Sequence, residues 1–133
     1  MIEKAIFHRL SNASSITSLT STRIYNQDLP QETAMPAIVF SRVSTYRGDV
    51  AHSGAMGLAE AIIQISIYTE AFSSARSLSE EVRKLFHVYK GTNNGVQVLL
   101  SKVIEERDLP YESQLGVYHV AMDIQVKFRE ATS

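Results

Sequence analysis

Val117-Tyr118-His119-Val120-Ala121-Met122-Asp123-Ile124-Gln125-Val126-Lys127-Phe128 alternates with a period of two. Tyr118, Val120, Met122, Ile124, Val126 and Phe128 fall on one face; His119, Asp123, Gln125, Lys127 and Arg129 fall on the other, with Ala121. Side chains of a strand point alternately to the two sides, so one face is dry and one wet. That is the pattern of an antiparallel sheet covered on one side only.

Working back along the chain, Val96 to Glu106 alternates Val96, Val98 and Leu100 against polar or mixed neighbours. Asp108 to Gly116 holds Pro110 and Gly116 and is expected to join the two strands as a hairpin. An earlier pair has the same form. Ala37–Tyr46 places Ile38 and Phe40 on one side and Val39, Ser41 and Val43 on the other, and Leu58–Tyr68 is densest at Ile62, Ile63, Ile65 and Ile67. Between them lie Gly48, Asp49, His52, Ser53, Gly54 and Gly57, too long a run for a tight turn and expected to be an extended, mobile tip.

Helical spacing appears twice. Ile2, Ala5, Ile6 and Leu10 predict an amphipathic helix over 2–10. Ala75, Leu78, Val82, Leu85, Phe86 and Tyr89 form one stripe and predict a helix over 73–89, with Gly91 as its left-handed cap and Asn93-Asn94-Gly95 as a turn. Ser14 or Ser15 is placed to cap a short second helical turn ending near Leu19. Arg23–Tyr25 reads as a short strand, and the two-proline stretch 26–36 as loop. The expected fold is α+β: a mostly antiparallel sheet of two long hairpins plus a short strand, helices packed on one face, in a single domain over 1–133.

Composition narrows the function. The 133 residues include no cysteine, which removes disulfides, thiolate zinc sites and cysteine nucleophiles. A formal net charge of −1 and the lack of a dense Lys/Arg cluster argue against a dedicated nucleic-acid binder. No stretch approaches the roughly 18 apolar residues of a membrane span. Met1–Leu10, with Glu3, Lys4, His8 and Arg9, lacks the apolar run of a signal peptide, so Asn12-Ala13-Ser14 is read as a helix start or loop.

No catalytic motif emerges. His8, His52, His87 and His119 show no metal-ligand spacing, and no turn of the nucleophile-elbow type surrounds Ser53 beside His52. Gly48, Gly54 and Gly57 form neither a dinucleotide fingerprint nor a phosphate loop. The densest charges, Glu105, Glu106, Arg107 and Asp108, are expected at a strand end entering a loop, where a solvated strand end is the plainest reading and interface salt bridges fit better than catalysis. Arg42, Tyr46 and Arg47 lead into the glycine-rich tip, and Arg and Tyr are favoured at protein interfaces. The candidate interface residues are therefore Arg42, Tyr46, Arg47, Asp49, His52, Glu105, Arg107 and Asp108. No cofactor is implied.

The order of several stretches resembles a known family. Arg23-Ile24-Tyr25 is followed by a loop and Met35-Pro36-Ala37-Ile38-Val39-Phe40-Ser41-Arg42-Val43-Ser44. Ile63-Gln64-Ile65-Ser66-Ile67-Tyr68 precedes Ala75-Arg76-Ser77-Leu78 and Val82-Arg83. Glu106-Arg107-Asp108, Gly116-Val117-Tyr118 and Val126-Lys127-Phe128-Arg129 complete the series. Together, over roughly residues 1–130, they resemble the tail-completion (tail-terminator) proteins of long-tailed phages and prophages, of the lambda tail-terminator type.

The resemblance implies a structural protein and not an enzyme. It implies a homo-hexameric ring, possible also as a monomer before assembly, at the head-proximal end of the tail. The partners would be the tail-tube protein and the head–tail connector, and DNA would pass through the lumen without specific binding. The location implied is the virion tail, with the host cytoplasm during assembly. A connector or tail-tube subunit is the neighbouring alternative. A small enzyme with a dispersed active site, gathering His119, Asp123 and a second carboxylate in a concave pocket, is the distant one.

Overall fold

A computed structural model of the chain describes residues 2–31, 33–46, 58–114 and 116–129. The helices are α1 (Ile2–Ser11), α2 (Ser14–Thr20) and α3 (Phe72–Phe86), and the strands are β1 (Ile24–Asn26), β2 (Ala37–Tyr46), β3 (Leu58–Thr69), β4 (Tyr89–Asn93), β5 (Val96–Glu112) and β6 (Val117–Arg129). They form one six-stranded sheet in the order β1-β2-β3-β6-β5-β4.

The spine of the sheet is the β3–β6 pair, antiparallel and unbroken from Leu58↔Arg129 to Thr69↔Tyr118. Period-two side-chain alternation divides it cleanly. Ala59, Ala61, Ile63, Ile65 and Ile67 of β3 and the even-numbered Val120–Phe128 of β6 are buried in one core cluster. All three helices contribute to that same cluster, through Ile2, Ala5, Ile6 and Leu10 of α1, Ile16 of α2, and Ala75, Leu78, Val82 and Phe86 of α3. The helices therefore cover one face, as the alternation in β6 implied. Each large aliphatic or aromatic side chain so buried contributes about 1.5–3 kcal/mol. α1 touches both edge strands, β1 and β4, so the sheet bends around its helices.

Five features depart from the sequence reading. First, β1 runs parallel to β2, which makes the sheet mixed instead of a set of antiparallel hairpins alone. Second, α3 stops at Phe86, and residues 89–93 are a strand paired with β5. Arg9 ends the helix: its Nε and Nη2 donate to the Leu85 carbonyl at 3.1 and 2.9 Å, and its guanidinium lies over the Tyr89 ring at 3.4 Å. Val88 takes a φ of 54° to turn the chain away. Gly91 is thus no helix cap. It lies in the strand beneath Tyr89, where an added Cβ would sit 2.4 Å from the tyrosine hydroxyl. The turn itself is as read: Asn94 and Gly95, at φ 50° and 80°, form a two-residue hairpin loop of the primed type.

Third, β5 does not end at Glu106 but continues through Asp108 and Pro110 to Glu112, where a loop had been expected. β4 pairs only with residues 96–101, so beyond that point β5 has β6 on one side and no strand among the described residues on the other. A proline is tolerated on such an open edge because its missing N–H breaks no ladder. Fourth, β2 carries a bulge between Arg42 and Ser44, which pushes Val43 out to 60% exposure and brings Ser44, not Val43, opposite Ile62. Fifth, neither Ser14 nor Ser15 caps α2; Ala13 occupies the cap position without a side-chain bond.

Candidate interaction surface

The sheet face away from the helices carries a polar ladder running across three strands, β3, β6 and β5. Gln64 Nε2 on β3 approaches Asp123 Oδ1 on β6 at 3.5 Å, and Arg107 Nη1 on β5 donates to Asp123 Oδ2 at 2.9 Å and also to Glu105. These bonds, to Asp123 first and Glu105 second, hold the Arg107 guanidinium above its already high pKa. One rung along, Gln125 Nε2 donates to Glu60 Oε1 at 2.9 Å, and Arg129 Nε to Gln97 Oε1 at 3.2 Å. At the other end His119 stacks on Tyr68 with ring centroids 4.3 Å apart. Burial pulls the His119 pKa below its usual value, against the nearby Glu112 carboxylate and with Arg107; burial also raises the Tyr68 phenol. Among the described residues His119 Nε2 has no hydrogen-bond partner.

The predicted interface residues separate. Glu105 and Arg107 lie together in the ladder, on a strand and not at its end. Asp108 and Glu106 point to the helix side, where both meet Arg76 of α3, Glu106 at 3.6 Å. Arg42 also turns to the helix side, with its Nε 3.7 Å from Glu3 Oε2 of α1. Tyr46, opposite Glu60 at the end of β2, is 69% exposed. The structure thus gathers Glu105, Arg107 and Asp108 into one region and leaves Arg42 and Tyr46 on another. Arg47, Asp49 and His52, with the tip they belong to, lie outside the described residues.

Glu3 and Arg76 were not singled out by sequence, and Asp123 was named only with His119 for the dispersed active site, not for an interface. Asp123 was legible as a wet-face residue of β6, but its partner is set by β5 register. Arg76 and Glu3 are helix residues whose targets lie on remote strands, and no local spacing announces them.

An exposed apolar groove of about 650 Å³ runs between α1 and β1, lined by Phe7, Tyr25, Phe40, Lys4 and His8 among others. A second cavity, about 390 Å³, lies between the 29–35 loop and Glu70 and Val117. His119 and Asp123 line neither, so the pocket that a dispersed active site would need is not formed by these cavities. Among the described residues no group of three His, Asp or Glu is close enough to hold a metal ion.

The sequence profile of the family described as "Tail completion protein gp17" matches residues 4–129. The chain belongs to that family. Several solved structures share the fold. A chain from the "Virion of native gene transfer agent (GTA) particle" superposes with a TM-score of 0.72 at 13% identity, over 95% of this chain and 92% of that one. A second superposes at 0.64 with 16% identity, over 99% and 96%. No curated protein matches the sequence. Membership in the tail-completion family supports a structural role in a phage tail.

Proposed function

We propose that this tail-completion protein forms a closed ring, a hexamer, that caps the head-proximal end of the tail tube and joins it to the head connector. The observation that carries the reading is the family match over residues 4–129, nearly the whole chain. The likeness of fold to a chain from a gene transfer agent virion agrees with it. The subunit acts as a single domain and packs head to tail around a rotation axis, since only such contacts close into a ring. Its net charge of −1 suits a channel that DNA must traverse, because a strongly basic lining would retain the phosphates. The protein works by assembly and not by catalysis.

Arg42, Tyr46, Glu105, Arg107 and Asp108 belong to subunit or tube contacts in this reading, as do Arg47, Asp49 and His52. The segment 27–36 and the tip over 46–58 are proposed to contact a neighbour or the tube. If deletion of residues 48–56 leaves both ring formation and tail joining intact, the tip has no such role.

Native mass measured at low and high concentration, with and without purified tail tubes, tests the proposal. Discrete closed rings, or stoichiometric binding to tube ends, are expected. Cylinders that lengthen without limit would identify a tube subunit instead. A monomer that ignores tube ends at every concentration would overturn the ring.

A further inference from the structure

The two lateral margins of the sheet fit each other. Pairing carries the register straight across five strands: Tyr25 lies level with Val39, Ser66, Ala121 and Arg107. By the same route Ile24 lies level with Asp108, and Asn26 with Glu106. Among the described residues the neighbour of β1 in the sheet is β2, and the stretch of β5 level with it, Glu106–Asp108, lies within Lys102–Glu112, the part that β4 leaves unpaired. The sense also agrees. β1 runs with β2 and β6, and β5 runs against them. Rotation about an axis along the strands preserves both height and direction. It therefore brings β1 of one copy beside the lower β5 of the next as an antiparallel pair.

The side chains agree with this placement. A strand shifted by one residue would exchange its faces, whereas the level register keeps them. Tyr25 would then meet Arg107 on the open face. On the helix side, Glu106 and Asp108 would approach Lys4 and His8, which border β1 in the α1 groove and whose side chains have no ion pair or hydrogen bond among the described residues. The overhang Lys102–Glu112 bears Glu105, Glu106, Asp108 and Glu112 against Lys102 and Arg107, with Arg76 of α3 beside Glu106 and Asp108, and the groove bears Lys4 and His8 beside Glu3, so acid leans toward base across the contact. Apolar surface is available on both sides: Phe7 is 45% exposed beside β1, and Ile104 and Tyr111 are each 49% exposed on the overhang. A long bare edge of this kind invites pairing unless something covers it.

We infer that the subunit-to-subunit contact is strand addition, in which β1 and the α1 groove of one copy receive residues 102–112 of β5 of the next, making one sheet continuous around the assembly. The inference rests on the ring reading above and specifies its interface.

Cysteine cross-linking of the full chain tests it, and the natural absence of cysteine makes the background clean. Tyr25→Cys is combined in turn with Glu105→Cys, Arg107→Cys and Leu109→Cys, the open-face positions at the level register and two residues to either side. Tyr25→Cys with Gln97→Cys, in the part of β5 that β4 covers, is the control. Each variant is checked by native mass for assembly, then oxidised and run under denaturing, non-reducing conditions. We expect one of the three lower-β5 pairs to convert most of the assembled protein into a ladder of covalent multimers, and the control to stay monomeric. Assemblies of native mass with no ladder from any of the three pairs would overturn strand addition while leaving the ring standing. A ladder from the control alone would overturn it likewise. Absence of any assembly, with tubes present or absent, would overturn the ring and this contact together.

Discussion

The upper and lower halves of β5 are one continuous strand with opposite fates. Residues 96–101 have β4 on one side and β6 on the other, and Val96, Val98 and Ser101 are buried. Residues 102–112 have β6 alone, and nine of the eleven are exposed, only Val103 and Arg107 being half-buried. The upper half is held by the fold: Ser101 Oγ donates to the Phe86 carbonyl at 2.7 Å, fixing the end of α3 against the sheet. The lower half pairs with β6 alone and is held besides by the Arg107–Asp123 and Arg76–Glu106 pairs and, at its start, by the Val103 N–H, which donates to His87 Nδ1 at 3.2 Å. Its length exceeds what the subunit's own core requires. The upper half serves folding, and the lower half is free to serve assembly.

Substitutions should separate these halves. Phe86→Ala, at the junction of α3 and upper β5, empties a fully buried aromatic site and should cost about 3–5 kcal/mol in urea unfolding. A loss below about 1 kcal/mol would mean that this junction is not part of the core. Ser101→Ala leaves the buried Phe86 carbonyl without its donor and should cost about 1–3 kcal/mol. In contrast, Ile104→Ser in the lower half should change monomer stability by no more than about 0.5 kcal/mol while weakening assembly. Equal destabilisation by Ser101→Ala and Ile104→Ser would erase the distinction.

The smallest effect is expected from pH. The folded His119 pKa lies below the ordinary 6.5, chiefly because burial opposes the charged ring. The unfolded chain therefore binds the proton first as pH falls, so the stability this residue contributes is complete above about pH 6.5 and declines as pH drops through the lower folded value. His119→Gln should flatten the decline between pH 7.5 and 5. Because the ring is only half-buried beside Tyr68, Glu112 and Arg107, solvent screens the effect. An unchanged slope would remove His119 from the acid response.

The same contrast explains what was legible in the sequence. β3, β6, α1 and most of α3 announce themselves because each presents one continuous apolar face, and the Asn94-Gly95 turn because its backbone needs positive φ. Upper β5 was legible for the same reason. Of lower β5, the strand was read as far as Glu106; residues 108–112 were not, because Asp108 and Pro110 look like loop and it is the long β6 beside them that holds them extended. β4 was missed because Tyr89 continues the spacing of Leu85 and Phe86, while the residue that ends the helix, Arg9, lies 76 positions away. The parallel sense of β1 depends on how the chain returns through residues 27–36, which no periodicity records. The candidate surface was half legible. Glu105, Arg107 and Asp108 were found as charges, but their division between the two faces of a strand needed the register.

Hydrogen exchange, read by residue in the monomer and in the assembly, tests the central claim most directly. Amides of 96–101 should be protected in both states, and those of 104–109 should exchange quickly in the monomer and slow at least tenfold on assembly, together with Ile24–Asn26. Protection of 104–109 already complete in the monomer, or no change there on assembly, would contradict the division of β5 into a folding half and an assembly half.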